Sequence, residues 1–209
     1  MHIEPGMLAH TKTVVASVVA AGVLALPLRN ALLRPALLLR TLLATCFFTL
    51  FMQAFHLPVG ASELHFVGAI PIYLTLGFAP TALGFGFGLL AQGLLFEPAD
   101  LVHLGVNTLS LVVPLMVVHR LFGSALARLD VRTILKLDAT YYAGVTLMVG
   151  FWLSMAEVAV PLGAWASFTA SYLAIVAIEP LVTYITVNLL RRHADHPAVR
   201  MCFDVARRS

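Results

Sequence analysis

Charge is scarce in this sequence. Only 11% of its 209 residues are Asp, Glu, Lys or Arg, where a soluble domain carries about a quarter, so most of its surface does not face water. Cysteine is nearly missing as well. Cys46 sits in an apolar run and Cys202 in the C-terminal tail, in different layers of a membrane protein, and the pair points to neither a disulfide nor a thiolate metal site. No G-x-x-x-x-G-K-[ST] run occurs, so the chain carries no phosphate-binding loop of its own. An intramembrane metal-dependent hydrolase needs an H-E-x-x-H pair or its equivalent on a helix. His193 and His196 flank Ala194 and Asp195 instead, in a basic tail, and no apolar run offers the pattern. The formal charge is only +3, and the basic residues stand beside apolar runs, which argues for membrane orientation rather than nucleic-acid binding.

Apolar residues make up 60% of the chain. They fall into seven segments, about 12–28, 41–57, 65–79, 81–96, 104–122, 139–158 and 166–190. Crossing a hydrocarbon core of about 30 Å takes roughly 20 residues, and spanning strands would alternate in polarity. The expected fold is therefore all-α, a single membrane domain over 1–209 with about seven transmembrane helices. The third and fourth segments nearly meet at Pro80 and are expected to form a tight helical hairpin. Gly84 and Gly88 stand four apart in the fourth, a spacing that lets membrane helices approach closely. Ser17, Ala20 and Ala21 form a small-residue face suited either to sliding against a membrane partner or to ordinary packing.

Seven crossings sort the loops. One set holds Arg29, Arg34, Arg40, Arg120, Arg128, Arg132, Lys136, Arg191, Arg192, Arg200, Arg207 and Arg208, while the other holds Lys12 alone. Twelve of thirteen basic residues on one side make that side cytoplasmic by the positive-inside rule. The N-terminus is then outside and the tail 191–209 inside. The first segment is no signal peptide on this reading, because its leading residues lack a positive cluster and arginines follow it instead.

Chemistry gathers on the outer face. His2, His10, His56, His65 and His103 lie there or near it, with Glu4, Glu63, Glu97, Asp100 and Glu157. Imidazole suits nickel, copper, zinc and cobalt, and negative charge concentrates cations at the mouth. His2 has chemistry of its own. The Met1 α-amine, the Met1–His2 peptide nitrogen and the His2 Nδ1 close two fused chelate rings, a strong-field set favoured by Ni2+, Cu2+ and low-spin Co2+. One more nitrogen completes a square plane. His65 is the first candidate, at the outer end of the third segment, and His56 and His103 compete with it. Glu157 is expected near the outer interface. Glu179, followed by Pro180 inside the seventh segment, is a costly buried carboxylate and so a functional candidate or a kink partner.

The opening Met1-His2-Ile3-Glu4-Pro5-Gly6 resembles the M-H-I-x-x-G start of the CbiM/NikM family, substrate-specific components of energy-coupling-factor transporters for cobalt and nickel. The run Gly60 to Ala69, G-A-S-E-L-H-F-V-G-A, is similar to the family's glycine-rich loop and histidine. L-G-V-N at Leu104 to Asn107 and I-E-P-L-V-T at Ile178 to Thr183 extend the likeness. The resemblance implies a square-planar site of four nitrogens from Met1, His2 and His65, within an N-terminal segment 1–11 and under an outer loop. Asn107 matches a polar family position and would orient the N-terminal segment. The sequence departs at Glu63, where a small residue is expected, and at His103, an extra ligand candidate. Both open the site to higher coordination. The implied function is capture of Co2+ or Ni2+ as substrate, in the inner plasma membrane. A membrane coupling (T) subunit and paired ATPases, sometimes with a small accessory membrane subunit, would supply the driving step, so the chain itself is no enzyme. The alternative is a stand-alone permease or sensor for another divalent ion such as Zn2+.

Overall fold

The computed structural model describes residues 6–59, 62–123 and 130–205. Helix α1 (His10–Leu32) runs through Pro27 and ends one turn before α2 (Pro35–Ala54). Arg34 is extended, and Pro35 with its fixed φ opens α2 where a missing N–H costs nothing. A β-hairpin follows, β1 (His56–Val59) against β2 (Ser62–His65), antiparallel with His56 paired to His65 and Leu57 to Leu64. Helix α3 (Ala69–Leu76) and helix α4 (Phe78–Leu95) are separated by Gly77 at φ 94°. A 3₁₀ turn (Pro98–His103) leads into α5 (Leu104–Phe122). Helix α6 (Val131–Ser154) is capped by the Asp130 carboxylate, which accepts the Thr133 N–H at 2.7 Å. The Thr133 hydrogen bonds hold the Asp130 carboxyl below its ordinary 3.8. Helix α7 (Leu162–Arg192) and short α8 (Pro197–Cys202) complete the chain.

The fold is that of an all-α membrane protein. Among the described residues five helices, α1, α2, α4, α5 with its 3₁₀ turn, and α7, are long and apolar enough to cross a bilayer. Val14, Val15, Val18, Leu42, Leu50, Leu173 and Leu181 are exposed on their outer faces. A soluble monomer does not show so much contiguous apolar surface. Helix α6 is 24 residues long but less apolar, because Asp138, Tyr141, Tyr142 and Thr146 line its buried stripe.

The third segment departs from the sequence expectation. Residues 62–65 are strand and 66–68 are irregular, and the helix proper is only eight residues, about 12 Å long, too short to cross alone. All eight are buried. Irregular backbone at membrane depth survives where protein surrounds it, and here α2, α4, α6 and α7 all pack on α3. The α3–α4 hairpin turns at Gly77 rather than at Pro80, which sits in the first turn of α4. Gly84 and Gly88 do what their spacing promised. A Cβ on Gly84 would fall 2.5 Å from the Ala44 Cβ, and one on Gly88 2.3 Å from the Phe48 ring. Ser17 is exposed, but its backbone packs closely on α5, since a Cβ on Gly105 would fall 2.4 Å from its Cα. Ala20 is buried and Ala21 exposed.

Contacts at the element ends divide the loops into two sets. At one end Lys12 Nζ reaches the Met155 carbonyl at 2.8 Å and Glu157 Oε1 at 3.0 Å, and the Glu157 N–H donates to the Met7 carbonyl at 2.9 Å. The hairpin and the 3₁₀ turn lie at that end. At the other, Arg40 pairs with Asp204 at 2.8 Å and with the Phe203 carbonyl at 2.6 Å, while the Asp204 N–H donates to the Thr75 carbonyl at 2.7 Å. The tail is thus fastened beside the start of α2 and the end of α3, among the arginines.

Candidate metal centre

Strand pairing and aromatic packing build the environment of His65. The ladder continues past the strands, with the Phe66 N–H donating to the Phe55 carbonyl at 3.1 Å, and the Phe66 ring meets Phe51 edge-on at 5.4 Å. Gly68 then turns the chain into α3 at φ 61°, its α-carbon pressed on the Phe51 ring. His65 is buried, and its Nδ1 lies 3.3 Å from the Met52 carbonyl at the end of α2. An Nδ1–H donated there fixes the tautomer and ring plane, the arrangement that metal-ligating imidazoles use. Beside the hairpin lies a cleft of about 490 Å³ between Phe51, Phe55, Leu64, Phe66, Ile175 and Ile178. Its apolar walls offer nothing to a cation.

The other sequence candidates are distributed unevenly. His103 ends the 3₁₀ turn and is fully buried, and Asn107 is buried one turn further on, so both belong to the inner face of α5. His10 is exposed at the start of α1 and Glu97 on the loop after α4. Glu157 is exposed after the end of α6 and pairs with Lys12. His56 takes part through its backbone, opposite His65, and Glu63 opposite Pro58. Met1, His2 and Glu4 lie outside the described residues. Among the described residues no group of three or more His, Cys, Asp or Glu side chains converges as a metal site. Met7, the described residue nearest the N-terminus with a long-range bond, is tied to Glu157 at the same end of the bundle as the hairpin. Cys46 and Cys202 are free thiols on different elements.

Comparison with known proteins decides the family. The model of the CbiM family, described as the cobalt uptake substrate-specific transmembrane region, matches residues 2–197. The chain belongs to this family. It is thus a membrane component of metal transport, as its resemblance implied. A crystal structure of a transition metal transporter superposes with a TM-score of 0.72 at 20% identity, covering 95% of this chain and 96% of that one. At that identity the likeness establishes the fold. No curated protein matched in sequence.

This chain also contains a buried polar cluster, of which the sequence pointed to Glu179 alone. Glu179 of α7 is fully buried and accepts the Ile70 N–H at 3.1 Å and the Tyr142 hydroxyl. Asp138 of α6, equally buried, lies beside it. Tyr141, Tyr142 and Tyr172 wall the cluster, with ring centroids 5.2 Å apart for the first pair and 5.0 Å for the second. Asp138 was missed because it falls just ahead of the apolar run 139–158, where it reads as a loop residue. The signal that would have found it is periodicity: Ile134, Asp138, Tyr141, Val145 and Val149 share one helical stripe.

Proposed function

We propose that this chain is the substrate-binding membrane component of an energy-coupling-factor importer of Co2+ or Ni2+. The Met1 amine, the Met1–His2 amide nitrogen, the His2 imidazole and His65 hold the ion in a square plane. This set favours Ni2+, and Co2+ in its low-spin state. With its Nδ1–H donated to the Met52 carbonyl, His65 presents the Nε2 lone pair to the metal. The observation that carries the reading is His65 itself, buried at the end of the hairpin at the same end of the bundle where Met7 is anchored. In this reading the chain crosses the plasma membrane seven times, its third pass made by the irregular lead-in together with α3. This end faces outside because the opposite end collects the arginines. Asn107 and His103, buried at the start of α5, steady the N-terminal segment from beneath. A membrane coupling (T) subunit and paired ATPases, with or without a small accessory membrane subunit, drive uptake. The chain brings no nucleotide site.

Calorimetric titration of the detergent-purified protein with Ni2+, Co2+ and Zn2+, beside His2→Ala and His65→Ala, tests this. The expected result is one tightly bound Ni2+ or Co2+ per chain and loss of that binding in both variants, with helix content unchanged. Undiminished binding in either variant removes that residue from the site. Preference for Zn2+ would favour a permease or sensor for that ion.

A further inference from the structure

Helix α3 is a membrane-embedded helix whose N-terminus has no cap of its own. Its N-cap is Gly68, which has no side chain to offer. The first-turn amides of a helix lack intrahelical partners, and at membrane depth no water replaces them. Pro71 removes one such donor, and the Ile72 N–H already donates to the Gly68 carbonyl at 3.1 Å. The first-turn donors Ala69 and Ile70 remain. Both meet the same group: the Ile70 N–H donates to Glu179 Oε1 at 3.1 Å and the Ala69 amide interacts with the same carboxylate. Glu179 therefore acts as the cap of α3 from another helix, its carboxyl oxygens accepting from the first-turn amides that the helix leaves unpaired. The Tyr142 hydroxyl donates to its second oxygen and fixes the carboxylate plane.

The same face of α7 reaches further along the segment. Tyr172 lies seven residues before Glu179, on the same buried stripe with Phe168 and Ile175, and so about 10.5 Å away along the axis. Its ring packs beside the His65 backbone where α7 meets β2, and its buried hydroxyl makes no hydrogen bond there. Residues 65 to 70 are thereby held near His65 by Tyr172 and at Ile70 by Glu179. On the opposite side the Phe66–Phe55 backbone bond and the Phe51 ring close the segment in. The His65 ring can keep its direction only if this short irregular stretch does not swing.

We infer that Glu179 is a positioning residue for metal binding: it caps α3 and, with Tyr172, locks the 65–70 segment so that His65 completes the site. The inference rests on the reading of His65 as a ligand. Loss of groups that orient a metal ligand typically lowers affinity tenfold to a hundredfold.

The test is Ni2+ calorimetry on full-length Glu179→Leu, Glu179→Gln and Tyr172→Phe, with amide hydrogen exchange of the metal-free proteins. Glu179→Leu is expected to lose roughly tenfold or more in affinity and to exchange faster at 66–72, while remaining helical and monodisperse. Glu179→Gln, whose carbonyl still accepts from Ile70, and Tyr172→Phe, which keeps the packing ring and loses only an unbonded hydroxyl, should both stay within about threefold of the native affinity. A folded Glu179→Leu that exchanges faster at 66–72 yet binds Ni2+ as the native protein does would make the cap purely structural and overturn the inference. Equal loss in Leu and Gln variants would overturn it too, because charge and not capping would then matter. Should Glu179→Leu not fold, Glu179→Gln combined with Tyr142→Phe thins the same network and is judged by the same two readouts. His65→Ala separates the two readings. If it binds Ni2+ normally the ligand assignment has failed and the positioning role with it; if it loses Ni2+ while Glu179→Leu does not, only the positioning role has failed.

Discussion

His65 is buried at the end of β2 with its Nδ1 facing a backbone carbonyl, a contact that fixes the direction of the ring. Its neighbour Gly68 combines φ 61° with a Phe51 ring that a Cβ would meet at 2.4 Å. Gly68→Ala is therefore expected to strain both the backbone and the α2 contact, lowering the thermal midpoint and Ni2+ affinity together; unchanged values in a thermal shift and a titration would remove Gly68 from the segment's support. The Lys12–Glu157 pair makes the opposite case. Both side chains are more than a third exposed, and such pairs contribute less than about 1 kcal/mol. Glu157→Gln should leave the unfolding midpoint almost unmoved, as a melting curve in detergent would register. At this scale the sequence exposed the histidines by their chemistry, and Glu179 by the cost of a carboxylate in an apolar run. It could not reveal that Glu179 faces the amides of α3, because that pairing spans 109 residues of chain.

Among the elements, α2 and α4 are locked by glycines rather than by large side chains. Gly84→Val would drive a branched side chain into the Ala44 backbone, whose carbonyl carbon a Cβ would already meet at 2.9 Å. Overpacking of that kind costs about 1–3 kcal/mol, and a lower unfolding midpoint with a loosened α2–α4 crosslinking pattern is expected. Seven apolar segments were legible in the sequence because hydrophobicity reports burial in lipid or protein alike. For the same reason the third read as one continuous helix: α3 is apolar all round because protein covers it, and strand and irregular backbone precede it. The hairpin was hidden by its position, since His56 and His65 bracket the loop and their strands continue apolar runs on either side. Helix α6 begins at Val131, eight residues ahead of the apolar run, because the capping carboxylate of Asp130 and not hydropathy sets its start.

The molecule as a whole carries its arginines at one end and its hairpin, 3₁₀ turn and anchored Met7 at the other. The positive-inside rule turns that asymmetry into an orientation. A membrane-impermeant maleimide applied to intact cells should label Glu97→Cys and spare the native Cys202 of α8; labelling of Cys202 alone would invert the topology. The central claim is that the ion is held by a free N-terminus together with a buried histidine, and one preparation can test it on itself. The protein is made with an N-terminal extension that a protease removes to leave Met1 as the first residue, and Ni2+ is titrated before and after cleavage. The account predicts no tight site before cleavage, because an amide replaces the Met1 amine, and one tight site per chain afterwards. Equal, tight binding in both states would contradict it, since no chelate built on the Met1 amine can survive the extension.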